Sequence, residues 1–318
     1  MKEGIPSMRN VFFTTLLAII LTLSTVACRQ SEKKSSVKTI GVTLLTRAHV
    51  FYKDLEEGLK KEATQDGYDL VITSADFDLS KQTAQVEDFI TRKVDAIIVS
   101  PVDSRGIGAA IDRANQAKIP VFTADIASKE GDVVSHIASD NVAGGRLAGE
   151  YLAKLLHGKG TVAIIGQPTV TSVLDRTQGF KEAVAKYPGI TIVAEVNGEG
   201  VRDKALQAAA DILQAHPRLD AIFGINDDSA LGALDAAQQF KRTELVIVGY
   251  DATPPAVDAI MKQTPLKADI IQYPDTIGMM TIRQIKKFFD GESVPRIVPV
   301  QVGIVDREVL AKRSTSPQ

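Results

Sequence analysis

Apolar positions along this chain follow two alternating rhythms. Short runs are almost wholly apolar or β-branched. Longer stretches repeat their apolar residues every three to four positions. "TIGVTLL" (Thr39 to Leu45) predicts a strand, and "VFYKDLEEGLKKEATQDG" (Val50 to Gly67) a helix with Phe51, Leu55 and Leu59 on one face. Gly67 is the expected stop. "YDLVITSA", "VDAIIVSP" and "IPVFTAD" read as further strands, with "SKQTAQVEDFITRK" and "GIGAAIDRANQAK" between them as helices. Ser80 is the expected N-cap of the first of those helices.

The alternation then repeats. "TVAIIG", "TIVAEV", "LDAIFGIN" and "LVIVGYD" predict strands, separated by "TSVLDRTQGFKEAVAKYPG", "DKALQAAADILQAHP" and "DSALGALDAAQQF" as helices. Apolar strands alternating with amphipathic helices mean βαβ units and parallel sheets. Two such sets, each of ordinary domain size, predict two doubly wound α/β lobes. Ligands of such sheets bind beyond the carboxyl ends of the strands. The candidate positions are therefore Leu45 to His49, Ser100, Asp125, Gln167, Asn226, Asp251 and Gln272.

Composition narrows the function classes. The 318 residues are 44% hydrophobic and carry a net charge of −2, which lacks the basic footprint of a nucleic-acid binder. There is no tryptophan, so aliphatic residues must build most of the core. The N-terminus reads as a processing segment, residues 1–27 being an export signal. "VFFTTLLAIILTLSTVA" (Val11 to Ala27) is an uncharged apolar run behind Lys2 and Arg9, and Met8 offers an alternative start. It ends at Cys28, the only cysteine. "TVAC" resembles a bacterial lipobox, with Thr25 where leucine is preferred; that resemblance implies an acylated Cys28 anchoring the chain to a membrane. Residues 28–38, including the polar "RQSEKKSSVK", read as a tether.

"DNVAGGRLAG" (Asp140 to Gly149) carries three glycines, yet lacks both the G-x-G-x-x-G spacing and the Gly-Lys-Ser/Thr of phosphate loops. A helix capped by Ser139 or Asp140, with Gly144, Gly145 and Ala148 as a small-residue packing face, explains it more simply. The longer stretch "GDVVSHIASDNVAGGRLAGEYLAK" resembles periplasmic ribose-binding proteins. So do "DAIIVSPVDSRGIGAAIDRANQAKIPVFTAD", "GINDDSALGALDAAQ", "VIVGYDATPPAVDAI" and "ADIIQYPDTIGMMTI", in order and spacing over nearly all of the mature chain. The resemblance implies the type I periplasmic binding fold, with two lobes joined by a three-strand hinge. Crossings fall near Ser139-Asp140, Ile271-Tyr273 and Val300-Val302. Lobe one would hold residues 39–139 plus 273–300, and lobe two residues 140–272 plus 301–318.

It also implies site residues. Phe51 and Tyr52 match two ring-bearing cleft positions, Asp125 a hydroxyl-binding aspartate, and Arg176 an arginine of the second lobe. Asn226, Asp251 and Gln272 match its amide and acid groups, and Tyr250 a cleft phenylalanine. Each has a plainer reading: Phe51 as helix core, Asn226 as a helix cap, Asp251 as a turn residue before Pro254-Pro255, Arg176 as a surface ion-pair partner. The family pattern is broken at His49 and Ser100, each in place of an asparagine. It is broken again at Ile126 in place of arginine, Leu45 in place of serine and Gly200 in place of phenylalanine. Losing the arginine changes the donor set, so a pentose other than ribose, a hexose or a polyol is expected. The function implied is that of a monomeric sugar- or polyol-binding protein delivering to an ABC permease. A ligand carrier for a sensor, or a binder of a non-sugar signalling molecule, is the alternative. Four histidines without H-x-x-x-H spacing, and no G-x-S-x-G, give no support to an enzyme, a metal site or a cofactor.

Overall fold

A computed structural model describes Met1 and residues 37–315. The proposed export signal, Cys28 and nearly all of the tether lie outside the described residues. Lys38–Gln318 forms one compact unit, built on two six-stranded sheets.

The first sheet uses β1 (Thr39–Leu44), β2 (Asp69–Ser74), β3 (Ala96–Val99), β4 (Val121–Ala124), β5 (Ser135–Ser139) and β11 (Ile297–Val300), in the order β11-β5-β4-β3-β1-β2. Every pair is parallel. Its helices are α1 (Val50–Asp66), α2 (Leu79–Arg92), α3 (Gly108–Gln116) and, returning late in the chain, α9 (Pro274–Phe289). The second sheet uses β6 (Lys159–Gly166), β7 (Gly189–Asn197), β8 (Ala221–Gly224), β9 (Val246–Asp251), β10 (Leu266–Ile271) and β12 (Gly303–Asp306), in the order β12-β10-β9-β8-β6-β7. Here β12 runs antiparallel on β10, an edge strand the alternating pattern does not announce. Around it lie α4 (Asn141–Leu155), α5 (Thr171–Val184), α6 (Arg202–Ala215), α7 (Asp227–Gln239), α8 (Pro254–Met261) and α10 (Arg307–Thr315).

The central strands are apolar on both faces because helices cover both. Ala96, Ile97, Ile98 and Val99 of β3 are all fully buried. The chain passes between the sheets three times: after Ser139, between Ile271 and Pro274, and between Val300 and Gly303.

Capping is where local sequence misleads. Asp78, not Ser80, caps α2: its carboxylate accepts from Lys81 N at 3.0 Å, and the helix starts a residue before Ser80. Asp140 caps α4 through Ala143 N at 3.0 Å. The glycine stripe of α4 is a packing device. A Cβ at Gly145 would sit 2.0 Å from Arg176 O, and one at Gly144 would sit 2.1 Å from the Tyr250 hydroxyl. Bare backbone there lets α5 and β9 approach α4 closely, and so places Arg176.

Candidate functional site

Lobe one supplies an acid and a cluster of rings. Asp125 follows β4 in left-handed backbone (φ 69°) and is 4% exposed. Tyr52, in the first turn of α1, donates its hydroxyl to Asp125 Oδ2 at 2.7 Å. The other oxygen, Oδ1, is buried without a hydrogen-bond partner. Burial pushes the Asp125 carboxyl above its ordinary range, against the pull of the Arg176 charge. Phe51 packs edge-on against Tyr52, with ring centres 5.2 Å apart. His49, at the N-cap of α1, stacks towards Tyr52 and meets the edge of Phe77.

Lobe two supplies a fixed cation with an acid and an amide beside it. Arg176 Nε donates to Asn141 Oδ1 and Nη1 to Ile225 O, both at 2.8 Å. Its guanidinium lies 3.9 Å over the Tyr250 ring. Asp251 ends β9 at φ 121°, a backbone few side chains adopt, with its Oδ1 3.9 Å from Arg176 Nη1. Gln272 Nε2 donates to Asp251 Oδ1 at 2.6 Å, while Gln272 Oε1 is buried without a hydrogen-bond partner. Asn226 does two things at once: Oδ1 accepts from Ser229 N to cap α7, and Nδ2 donates to Gly200 O. Burial raises the Asp251 carboxyl, with Arg176 opposing and Asp227 adding to the shift. Behind it, Asp227 accepts from the backbone and hydroxyl of Thr253, and the fully buried Asp269 accepts from Ala252 N. Burial and the neighbouring Asp227 push the Asp269 carboxyl well up.

The lobes meet around this set. His49 Nε2 lies 2.9 Å from Asp228 Oδ2 across the cleft. Thr171 N donates to Ser104 Oγ, and Ala127 N to Thr171 Oγ1, each at 3.0 Å. Between these contacts lies a small cavity lined from both lobes. His49, Phe51, Tyr52, Asp125, Arg176, Asn226, Asp251 and Gln272 all line it.

Some positions read from the sequence do not line it: Thr46, Arg47 and Ala48 of the stretch after β1, Ser100 and Tyr250. Ser100 is fully buried within lobe one, its carbonyl accepting from Gln82 Nε2, and Tyr250 lies beneath the Arg176 guanidinium. Four lining residues were not singled out in the sequence: Val170, Ser172, Val173 and Ile225. "VTSV" reads as a helix start, and its Thr-Ser pair gives no signal of a site. Asp269 had one, a lone acid in the apolar strand "LKADII".

Two crossed α/β lobes closed over a polar cavity at their strand ends define a two-lobed solute-binding protein. The chain belongs to the periplasmic binding protein family, whose domain matches residues 40–293. It is 36% identical over 295 residues to the ribose import binding protein of Salmonella typhimurium, covering 92% of this chain and 98% of that one. An ABC transporter solute-binding protein from Mycobacterium smegmatis, solved with glycerol bound, superposes with a TM-score of 0.83 at 33% identity, covering 89% of this chain and 98% of that one. One from Actinobacillus succinogenes, with D-allose bound, gives 0.80 at 28% identity, covering 86% and 99%.

Proposed function

We propose that this chain is the substrate-binding protein of an ABC-type sugar importer. It takes a monosaccharide or polyol between its lobes and closes over it by hinge motion. It then presents the closed form to a membrane permease. The carrying observation is the pair of buried acceptors without partners at the cavity, Asp125 Oδ1 and Gln272 Oε1. A buried acceptor without a partner is costly, and a polyhydroxylated ligand supplies the O–H donors that satisfy it. Phe51 and Tyr52 add apolar ring surface for the faces of a sugar. The cargoes of the similar proteins support the same reading.

Residues 39–139 plus 273–300, and 140–272 plus 301–318, then move as the two bodies of the hinge. The signal-like N-terminus and Cys28 extend the reading to an exported, lipid-anchored monomer at the periplasmic or cell surface. No turnover of the ligand is part of it.

A thermal-shift panel of pentoses, hexoses, deoxysugars and polyols tests it. A ligand that binds only the folded state raises the melting temperature by mass action. A shift with one class is expected. A flat response to the whole panel, with a shift for a non-sugar signalling molecule, overturns the sugar reading.

A further inference from the structure

The cleft has two chemically different ends. In lobe two the order β10-β9-β8-β6 puts Gln272 and Asp251 towards one side and the segment following β6 towards the other. That second side carries Val170 and Val173, with Ser172 between them in the chain and also on the cavity lining. From lobe one, Ile126 arrives at the same place, because its neighbour Ala127 bonds Thr171 twice, at 3.0 and 3.1 Å. Together with Leu45 these residues belong to the large apolar cluster that spans both lobes. All four line the cavity, and each is 4% exposed or less.

Val170 is the informative member. It holds the N-cap position of α5, where serine, threonine, aspartate or asparagine is preferred, and it makes no capping bond. Ser104 of the other lobe serves Thr171 N instead. An aliphatic side chain is thus kept on the cavity wall at a position local sequence preference would make polar. Gln167, the amide nearest this wall in sequence, packs against Gly200: a Cβ there would lie 2.5 Å from Gln167 Oε1.

A hydroxyl pressed against the side chains of Leu45, Ile126, Val170 and Val173, and out of reach of Ser172 and Gln167, would lose water and gain no partner, whereas a methyl or methylene group would gain contact. We propose that the ligand is a deoxy sugar, such as a 6-deoxyhexose, whose reduced carbon faces this wall while its hydroxyls face Asp125, Asp251 and Gln272. The inference rests on the sugar-binding reading above.

Calorimetric titration of matched pairs tests it: L-fucose against L-galactose, L-rhamnose against L-mannose, and 5-deoxyribose against ribose. In at least one pair the deoxy member should bind about tenfold tighter or more, the scale on which an apolar pocket separates ligands differing by one small group. Val173→Thr, nearly isosteric, should narrow that ratio, and Ile126→Arg should reverse it. Parent sugars binding as tightly as their deoxy partners, or more tightly, in every pair would overturn the deoxy assignment while leaving the sugar reading standing. No binding by any saccharide would remove both.

Discussion

Arg176 is held by residues far away in sequence. Asn141 lies on α4, Ile225 follows β8, and Tyr250 is on β9. Such a guanidinium reaches the cavity with little freedom left to lose on binding. Arg176→Ala should therefore weaken ligand binding by about 3 kcal/mol, roughly a hundredfold or more, in calorimetric titration. The protein should still melt cooperatively. An unchanged affinity would move the ligand elsewhere. Arg176→Lys should recover only part of the loss, because an ammonium cannot reproduce the fork to Asn141 and Ile225 or the stack on Tyr250. At this scale the positions after the strands were readable in the sequence, since strand ends are local features. Their second duties were not. Asn226 reads as a cap or as a site residue; the structure shows the cap and places the residue on the cavity lining. Tyr250 reads as a cleft ring and proves to be the bed on which the cleft cation lies.

Helix starts and helix contacts decide how firmly the site is carried. Because Asp78 and not Ser80 caps α2, Asp78→Ala should cost about 1 kcal/mol in urea unfolding, with Ser80→Ala close to neutral. Equal effects would contradict the observed cap. Two glycines make a sharper contrast. Gly67 ends α1 in left-handed backbone (φ 72°) with open space around its missing Cβ, so Gly67→Ala should cost only about 1 kcal/mol and leave affinity alone. Gly145→Ala would drive a methyl group into Arg176 O, 2.0 Å away. Overpacking of that kind costs typically 1–3 kcal/mol. It should also weaken binding, because relief requires α5 to carry Arg176 away from the cavity. Titration and unfolding on both variants check this. The small-residue face of "DNVAGGRLAG" was visible in the sequence; what it packs against was not, because Arg176 and Tyr250 come from later in the chain.

Across the whole molecule, closure brings together charges that the open form would separate. The His49–Asp228 pair spans the lobes, so it exists only when they meet. Burial acts to lower the pKa of His49, yet the Asp228 bond and the charges of Asp228, Asp251 and Asp125 together raise it. With the lobes apart the histidine returns towards its ordinary value of roughly 6.5. A raised closed-state pKa means that closing takes up protons. The contribution to affinity is then complete below the open-state pKa and disappears as pH rises through the closed-state one. Wild-type affinity should therefore exceed that of His49→Gln at pH 5.5 by more than it does at pH 8.5. The difference between the two proteins isolates His49 from the other raised groups, Asp125 and Asp251. Parallel pH profiles would show that the pair does not couple to closure.

The sequence by itself determined the class of architecture. The alternation of buried strands and amphipathic helices is a local periodicity, and the strand ends mark where a cleft must open. Motifs in order and spacing pointed to the family that the domain match establishes. Only the tertiary structure decided which side chains share one space. Ser100 fell inside lobe one, Val170 and Val173 came to the cavity wall, and Asp269 lies against Asp227 beneath Asp251. Those outcomes depend on burial and hydrogen bonding between segments far apart in the chain and, across the cleft, between lobes. No window of local sequence contains both partners.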